Sequence, residues 1–187
     1  KKYKSYKGEQ GKIAPNILNR CFKAEKPNQK WVTDITEFKV KDKKIYLSPI
    51  LDLYNQEIVS YEISERPVFR QVTKMIEKAL QKTKDTKHLI IHSDQGWQYQ
   101  MKQYQTILKK KGIKQSMSRK GNCLDNAIIE NFFGTLKSEL FYIQKFDSIE
   151  ELKHEIKKYI YYYNNIRTKS NLNKMSPIQY RTHFQNY

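Results

Sequence analysis

Residues 31–63 carry short apolar runs rich in β-branched and aromatic side chains, broken by polar pairs. Trp31 to Val40 predicts a first strand, and Lys41-Asp42-Lys43-Lys44 a polar turn. A second strand runs from Ile45 to about Leu53, with Pro49 as a defect that suggests an edge or a bulge. Asn55-Gln56 turns the chain into a third strand, Glu57 to Ile63. Connections this short make an antiparallel meander.

After Pro67 the period changes. Phe69, Val72, Ile76, Ala79 and Leu80 recur at helical spacing, predicting a helix to about Lys82. His88 to Ile91 suits a short buried strand. Met101, Tyr104, Ile107 and Leu108 mark another helix, and Ile113 to Met117 a fifth strand. From about Asp125, Ile129, Phe132, Phe133, Leu136 and Leu140 form the apolar stripe of a further helix, with Glu130 and Lys137 at its edge. Ser148-Ile-Glu-Glu151 has the form of a capping box, opening a helix through Leu152, Ile156, Ile160 and Tyr163. Pro177 is expected to break the basic tail that follows. The order βββαβαβαα predicts a mixed α/β domain with a five-stranded sheet. The expected division is a basic arm at 1–29, a core at 30–165 and a basic tail at 166–187.

Charge narrows the partners. The formal net charge is +17, from 36 Lys+Arg against 19 Asp+Glu, and the 187-residue chain needs an anion to explain it. Residues 1–30 hold nine Lys/Arg and two Glu, 9 − 2 = +7. Nucleic acid is the leading candidate; no apolar run approaches transmembrane length, and the basic residues are not confined to one amphipathic helix. Cys21 and Cys123 show no metal-ligand spacing and are expected to stay as thiols in a reducing cytosol. The absence of an initial methionine suggests a piece of a longer chain.

Three acids sit where side chains can be held rigidly: Asp34 within the first strand, Asp94 after a buried strand, and Glu130 on the helix. An acid inside a β-branched strand calls for a cation, and converging carboxylates suit hard ions such as Mg²⁺ or Mn²⁺. Asp52 is a fourth candidate. Each acid has a plainer reading as well: an edge position, an Asx turn, an exposed helix face.

Three segments together are distinctive: Trp-Val-Thr-Asp-Ile-Thr (31–36), His-Ser-Asp-Gln-Gly-Trp-Gln-Tyr (92–99) and Ser-Arg-Lys-Gly-Asn-Cys-Leu-Asp-Asn-Ala through Glu130-Asn-Phe-Phe to Glu139. They resemble the integrase core of bacterial insertion-sequence transposases of the OrfB type, related to retroviral integrases. The 35 residues between Asp94 and Glu130 match that family's spacing, and 163–180 resembles its C-terminal motif. Lys169 stands where many members have His.

The resemblance implies a ribonuclease H-like fold, with Asp34, Asp94 and Glu130 as ligands of Mg²⁺ or Mn²⁺, two ions in all. It implies DNA strand cleavage by water and strand transfer by a 3′-hydroxyl, on transposon ends and target DNA. It further implies a homo-oligomer on DNA, in the bacterial cytoplasm at the nucleoid, without the zinc module of retroviral integrases in this chain. Arg119, Lys120, Asn122, Asn126, Lys137 and Arg167 are expected DNA contacts, against plainer readings as caps or solvated charge. His92, Trp31 and Trp97 are expected to be structural. A binding module without chemistry and a ribonuclease H-type nuclease are the alternatives.

Overall fold

The structure is a computed structural model that describes residues 11–185. Its first sequence-predicted strand is two, β1 (Lys30–Thr33) and β2 (Thr36–Val40), followed by β3 (Lys43–Asp52) and β4 (Ile58–Ser64). Helix α1 (Phe69–Lys82) follows, then β5 (Ile90–Ser93), α2 (Trp97–Gln100), α3 (Lys102–Lys110) and β6 (Lys114–Met117). A 3₁₀ turn (Cys123–Asn126) leads into α4 (Ala127–Leu136), which continues as a π turn (Lys137–Phe141) before α5 (Ile149–Asn165) and α6 (Pro177–Gln185).

The sheet therefore has six strands, not five. Both β1 and β2 pair antiparallel with β3 in one register, Thr33 opposite Ile50 and Thr36 opposite Leu47. Carrying that register through the gap sets Asp34 opposite Pro49. Leu53 N–H donates to the Lys30 carbonyl, so every second pair from there, Asp34–Pro49 included, is a hydrogen-bonding position. Proline has no N–H to give, and the ladder opens there. The defect at Pro49 is felt on the neighbouring strand.

On the other side of β1, β5 and β6 add in parallel, so the sheet is mixed. Alternation divides its side chains between two cores. Val32, Phe38, Leu47 and Leu51 face α4 and α5. Trp31, Ile50 and Ile91 face α1 and α3. Helix α1 matches its sequence-predicted span, burying Val72, Met75, Ile76 and Ala79. The capping box at α5 forms: Glu151 N–H donates to Ser148 Oγ at 3.1 Å, while Asp147 N–H donates to the Glu151 carboxylate at 2.8 Å.

The 166–185 segment is tied back to the β3–β4 corner. Pro177 opens α6 instead of breaking the chain, because the first helical position has no carbonyl partner for an N–H in any case. Asn55 Nδ2 donates to the Pro177 carbonyl, and Arg181 Nη1 to Glu57 at 2.6 Å. Of the basic arm, 1–10 lie outside the described residues; 11–29 are irregular. Among the described residues no helix is long and apolar enough to cross a membrane.

Candidate active site

Asp34 lies in the break between β1 and β2, a correction to its expected place within a strand. The carbonyl of Pro49 accepts from Thr33 Oγ1 at 2.8 Å. The Asp34 side chain shares the parity of Val32 and so faces the α4 layer. Ile35 N–H donates to its Oδ1 at 2.7 Å and Asn126 Nδ2 to its Oδ2 at 3.2 Å.

Asp94 directly follows β5. The parallel register pairs Lys30 with Ile90 and Val32 with His92, and carrying it two places past the strand ends would set Asp34 beside Asp94. Adjacent strands lie about 4.8 Å apart, and same-rung side chains of a parallel pair leave the sheet on one face. Asp94 Oδ1 accepts from Gly96 N–H at 2.8 Å. A Cβ at position 96 would lie 2.9 Å from that oxygen, so a side chain there would push the Asp94 carboxylate aside.

Glu130 is exposed in the first turn of α4, four residues beyond Asn126. That spacing stacks it one turn above the amide that touches Asp34. Burial pushes the Asp34 carboxyl up to about 7, and the charges of Asp94 and then Glu130 add to the rise. Burial also raises Asp94. Three acids from three elements thus share one electrostatic field. They do not form a ready cage: among the described residues no three His, Cys, Asp or Glu side chains are gathered closely enough to hold a metal ion. Asp34 and Asp94 spend oxygens on backbone N–H groups instead. The all-oxygen donor set fits a hard divalent cation.

Asp52, the fourth candidate, belongs to a turn. It is fully buried at the β3–β4 corner, accepts from Asn28 and Tyr54 N–H, and has the Arg181 guanidinium 4.0 Å away. Burial raises its carboxyl to about 6.

The expected DNA contacts separate into two groups. Lys120 is exposed in the loop beside Gly121, and Lys137 lies 5.4 Å over the Phe38 ring. Arg119 instead forks onto Asp125, and Arg167 onto Glu139, which also accepts from Tyr159. Asn122 Oδ1 accepts from Arg20, and Asn126 reaches Asp34. His92 is buried with Nδ1 2.8 Å from Ser116 Oγ, a structural place as expected. Ser116 Oγ already accepts from Ile17 and Leu18 N–H, so its own proton goes to His92 Nδ1. Trp31 is fully buried, whereas Trp97 is 51% exposed next to the Asp94 turn, against expectation. Lys169 donates to Gln56 and the Tyr163 hydroxyl, and burial lowers its ammonium to about 8. Asn16 and Arg20, which join the Asp125 cluster, carried no sequence signal beyond belonging to a basic arm.

Comparison with known proteins shows the family. An integrase core domain family model matches residues 24–123, and a second integrase core domain model matches 130–184. The putative transposase InsK for insertion sequence element IS150 of Escherichia coli is 58% identical over 181 residues, which cover 97% of this chain and 64% of that relative's length. An uncharacterized transposase-like protein of Haemophilus influenzae is 53% identical, over 97% of this chain and 83% of its own. Among solved structures, the intasome of simian T-cell lymphotropic virus superposes with a TM-score of 0.70 at 17% identity, over 93% of this chain and 60% of that one. The catalytic core of HTLV-2 integrase in complex with magnesium gives 0.60 at 20% identity, over 85% and 99%. The chain belongs to the integrase core domain family, among the insertion-sequence transposases, and has the ribonuclease H-like fold of retroviral integrase cores.

Proposed function

We propose that this chain is the catalytic domain of a DNA transposase, with Asp34, Asp94 and Glu130 as the ligands of two Mg²⁺ or Mn²⁺ ions. The observation that supports the reading is the Asp34 carboxyl, raised first by burial and then by the charges of Asp94 and Glu130, which brings acids from three parts of the chain into one field. A divalent cation removes the penalty of ionising all three. When bound, such ions activate an attacking oxygen and stabilise the leaving oxygen of a phosphodiester. The integrase core that superposes on this chain was solved with magnesium.

The residues of this chain hold the parts in place. Asn126 orients Asp34, Gly96 N–H orients Asp94, and the first turn of α4 carries Glu130. Lys120 and Lys137 carry the phosphate contacts. Arg119 and Arg167 reach DNA only by giving up Asp125 and Glu139. The net charge of +17 supplies the long-range attraction. The protein acts on transposon ends and target DNA as a homo-oligomer, in the bacterial cytoplasm at the nucleoid. The arm to residue 29 and the segment from 166 serve the core between them.

Incubation with a labelled DNA end and Mn²⁺ tests this reading. Cleaved and joined products are expected; a branched disintegration substrate serves if end recognition needs more of the protein. Cleavage without joining would make the chain a nuclease, and retardation without cleavage a binding module. Full activity of Asp94→Asn would overturn the metal assignment.

A further inference from the structure

The loop that carries Asn126 and Glu130 is tied at both ends to different things. Asn126 points at Asp34. The preceding residue, Asp125, points the other way, and its side chain is fully covered. Five donors converge on that one carboxylate. Arg119 contributes its backbone N–H and Nε to Oδ2, at 3.0 and 2.9 Å, and Nη2 to Oδ1 at 2.8 Å. Arg20 Nε donates to Oδ1 at 3.0 Å and Asn16 Nδ2 to Oδ2 at 3.0 Å. A carboxylate has about four lone-pair sites, so this one is saturated. The guanidiniums hold it well below the usual carboxylate range.

These ties differ in what they fix. Arg119 and Asp125 are six residues apart within the same loop, so their fork closes the loop on itself. Arg20 and Asn16 lie more than 100 residues away in sequence and fix the loop to something else. Arg20 Nη2 also donates to Asn122 Oδ1 at 3.1 Å, a second point on the loop. The arm segment bearing them is itself anchored along the outer edge of β6 and on α3. Ile17 and Leu18 N–H donate to Ser116 Oγ, Met117 N–H to the Pro15 carbonyl, and Gln105 Nε2 to the Lys12 carbonyl. Gly121, with φ +70°, leaves the loop a left-handed joint between Arg119 and Asn122.

We infer that the arm segment 14–20 is a built-in brace of the active-site loop, and that Arg20 and Asp125 are positioning residues that set where Asn126 and Glu130 stand relative to Asp34. Arg20 is 44% exposed and basic, and by composition alone it reads as one more phosphate contact. Its geometry spends the guanidinium on the loop. The inference rests on the catalytic reading above, since a loop needs holding only if what it carries must be placed accurately.

Arg20→Ala is the informative variant. Asp125 keeps all three bonds from Arg119, so the domain stays folded, with a melting temperature within about 2 °C of wild type. Single-turnover cleavage at saturating labelled DNA and Mn²⁺ is expected to fall about tenfold or more, the consequence of a small misplacement. The Kd for the same DNA stays within about twofold. Adding Asp125→Asn to Arg20→Ala costs less than the product of the two single losses, because the pair acts as one unit. Arg20→Lys, which reaches Asp125 but cannot fork to Asn122, restores part of the rate. Hydrogen exchange reads the brace without any catalysis: amides of residues 119–126 exchange faster in Arg20→Ala, with β1 and β5 unchanged.

Two results overturn the inference. One is unchanged exchange at 119–126 together with a cleavage rate within twofold of wild type. The other is a weakened Kd whose salt slope falls by about one while the saturated rate holds, the signature of a phosphate contact. A wild-type protein that never cleaves DNA sinks the proposed function instead, and the exchange measurement still decides the brace.

Discussion

Replacing Asp34 by Asn should make the metal-free protein more stable, although it removes an acid proposed to be essential. Burial and the neighbouring acids lift the Asp34 carboxyl from 3.8 to about 7. At about 1.4 kcal/mol per pH unit, the rise corresponds to roughly 4 kcal/mol stored against folding at pH 8. Asp34 retains some solvent contact, which halves that to about 2 kcal/mol. Against the gain stands any lost hydrogen bond, about 1 kcal/mol. Asparagine keeps one carbonyl oxygen for the Ile35 N–H. Its amide can donate to Asn126 Oδ1, which is buried without a partner, once the Asn126 amide turns over. The net gain is therefore about 1–2 kcal/mol, or a melting temperature roughly 2–8 °C higher.

The pH dependence has a definite sign. The folded state holds the Asp34 proton more tightly than the unfolded chain does. Wild type therefore loses stability as pH rises from about 4 through the folded value of about 7, and loses no more above it. The gap between Asp34→Asn and wild type should vanish near pH 4 and be full at pH 8. Mn²⁺ at pH 8 should raise the melting temperature of wild type and leave that of the variant nearly unmoved. Thermal unfolding followed by circular dichroism, with and without Mn²⁺, measures all of this. A variant no more stable than wild type at pH 8, or a gap that persists at pH 4, would refute the account of Asp34.

Asp94→Asn and Glu130→Gln should each lower DNA cleavage by about a thousandfold or more while binding DNA no more weakly, since each removes a negative charge facing phosphate; gel-based cleavage and fluorescence anisotropy separate the two. Arg181→Met should cost about 2–4 kcal/mol, because it strips the cation from Glu57 and from the buried Asp52, and an unchanged melting curve would show that α6 is not held by this contact. Trp97→Ala should cost less than about 1 kcal/mol, as half of the ring is already in water, and a large loss would place the ring inside the fold.

What the sequence disclosed follows the range of the forces involved. Helix α1 and the α5 cap were legible because periodicity and Ser148-x-x-Glu151 act within a few residues. The acids were recognisable by motif, and Pro49 by its chemistry. Where that proline would act was not legible, because its effect falls on Asp34, fifteen residues away, and depends on a register no local pattern states. The same holds for charge. Arg20, Arg119, Arg167 and Arg181 read alike in a basic chain, yet each is spent on a carboxylate, most of them on one distant in sequence. Pro177 was misread because a proline stops a helix from inside and starts one from its first position. The π turn at Lys137–Phe141 has no counterpart in a stripe read at 3.6 residues per turn.

Pro49 also bears on how this protein can change. Almost any other residue at that position would supply the missing N–H, let β1 and β2 run on as one strand, and strengthen the middle of the sheet. Selection for stability alone would favour that repair. Its effect would be to draw the Asp34 peptide into the ladder and fix the backbone from which the carboxylate swings. A screen for thermostable variants should therefore find substitutions at Pro49 among its gains, and those same clones should be the ones that lose cleavage.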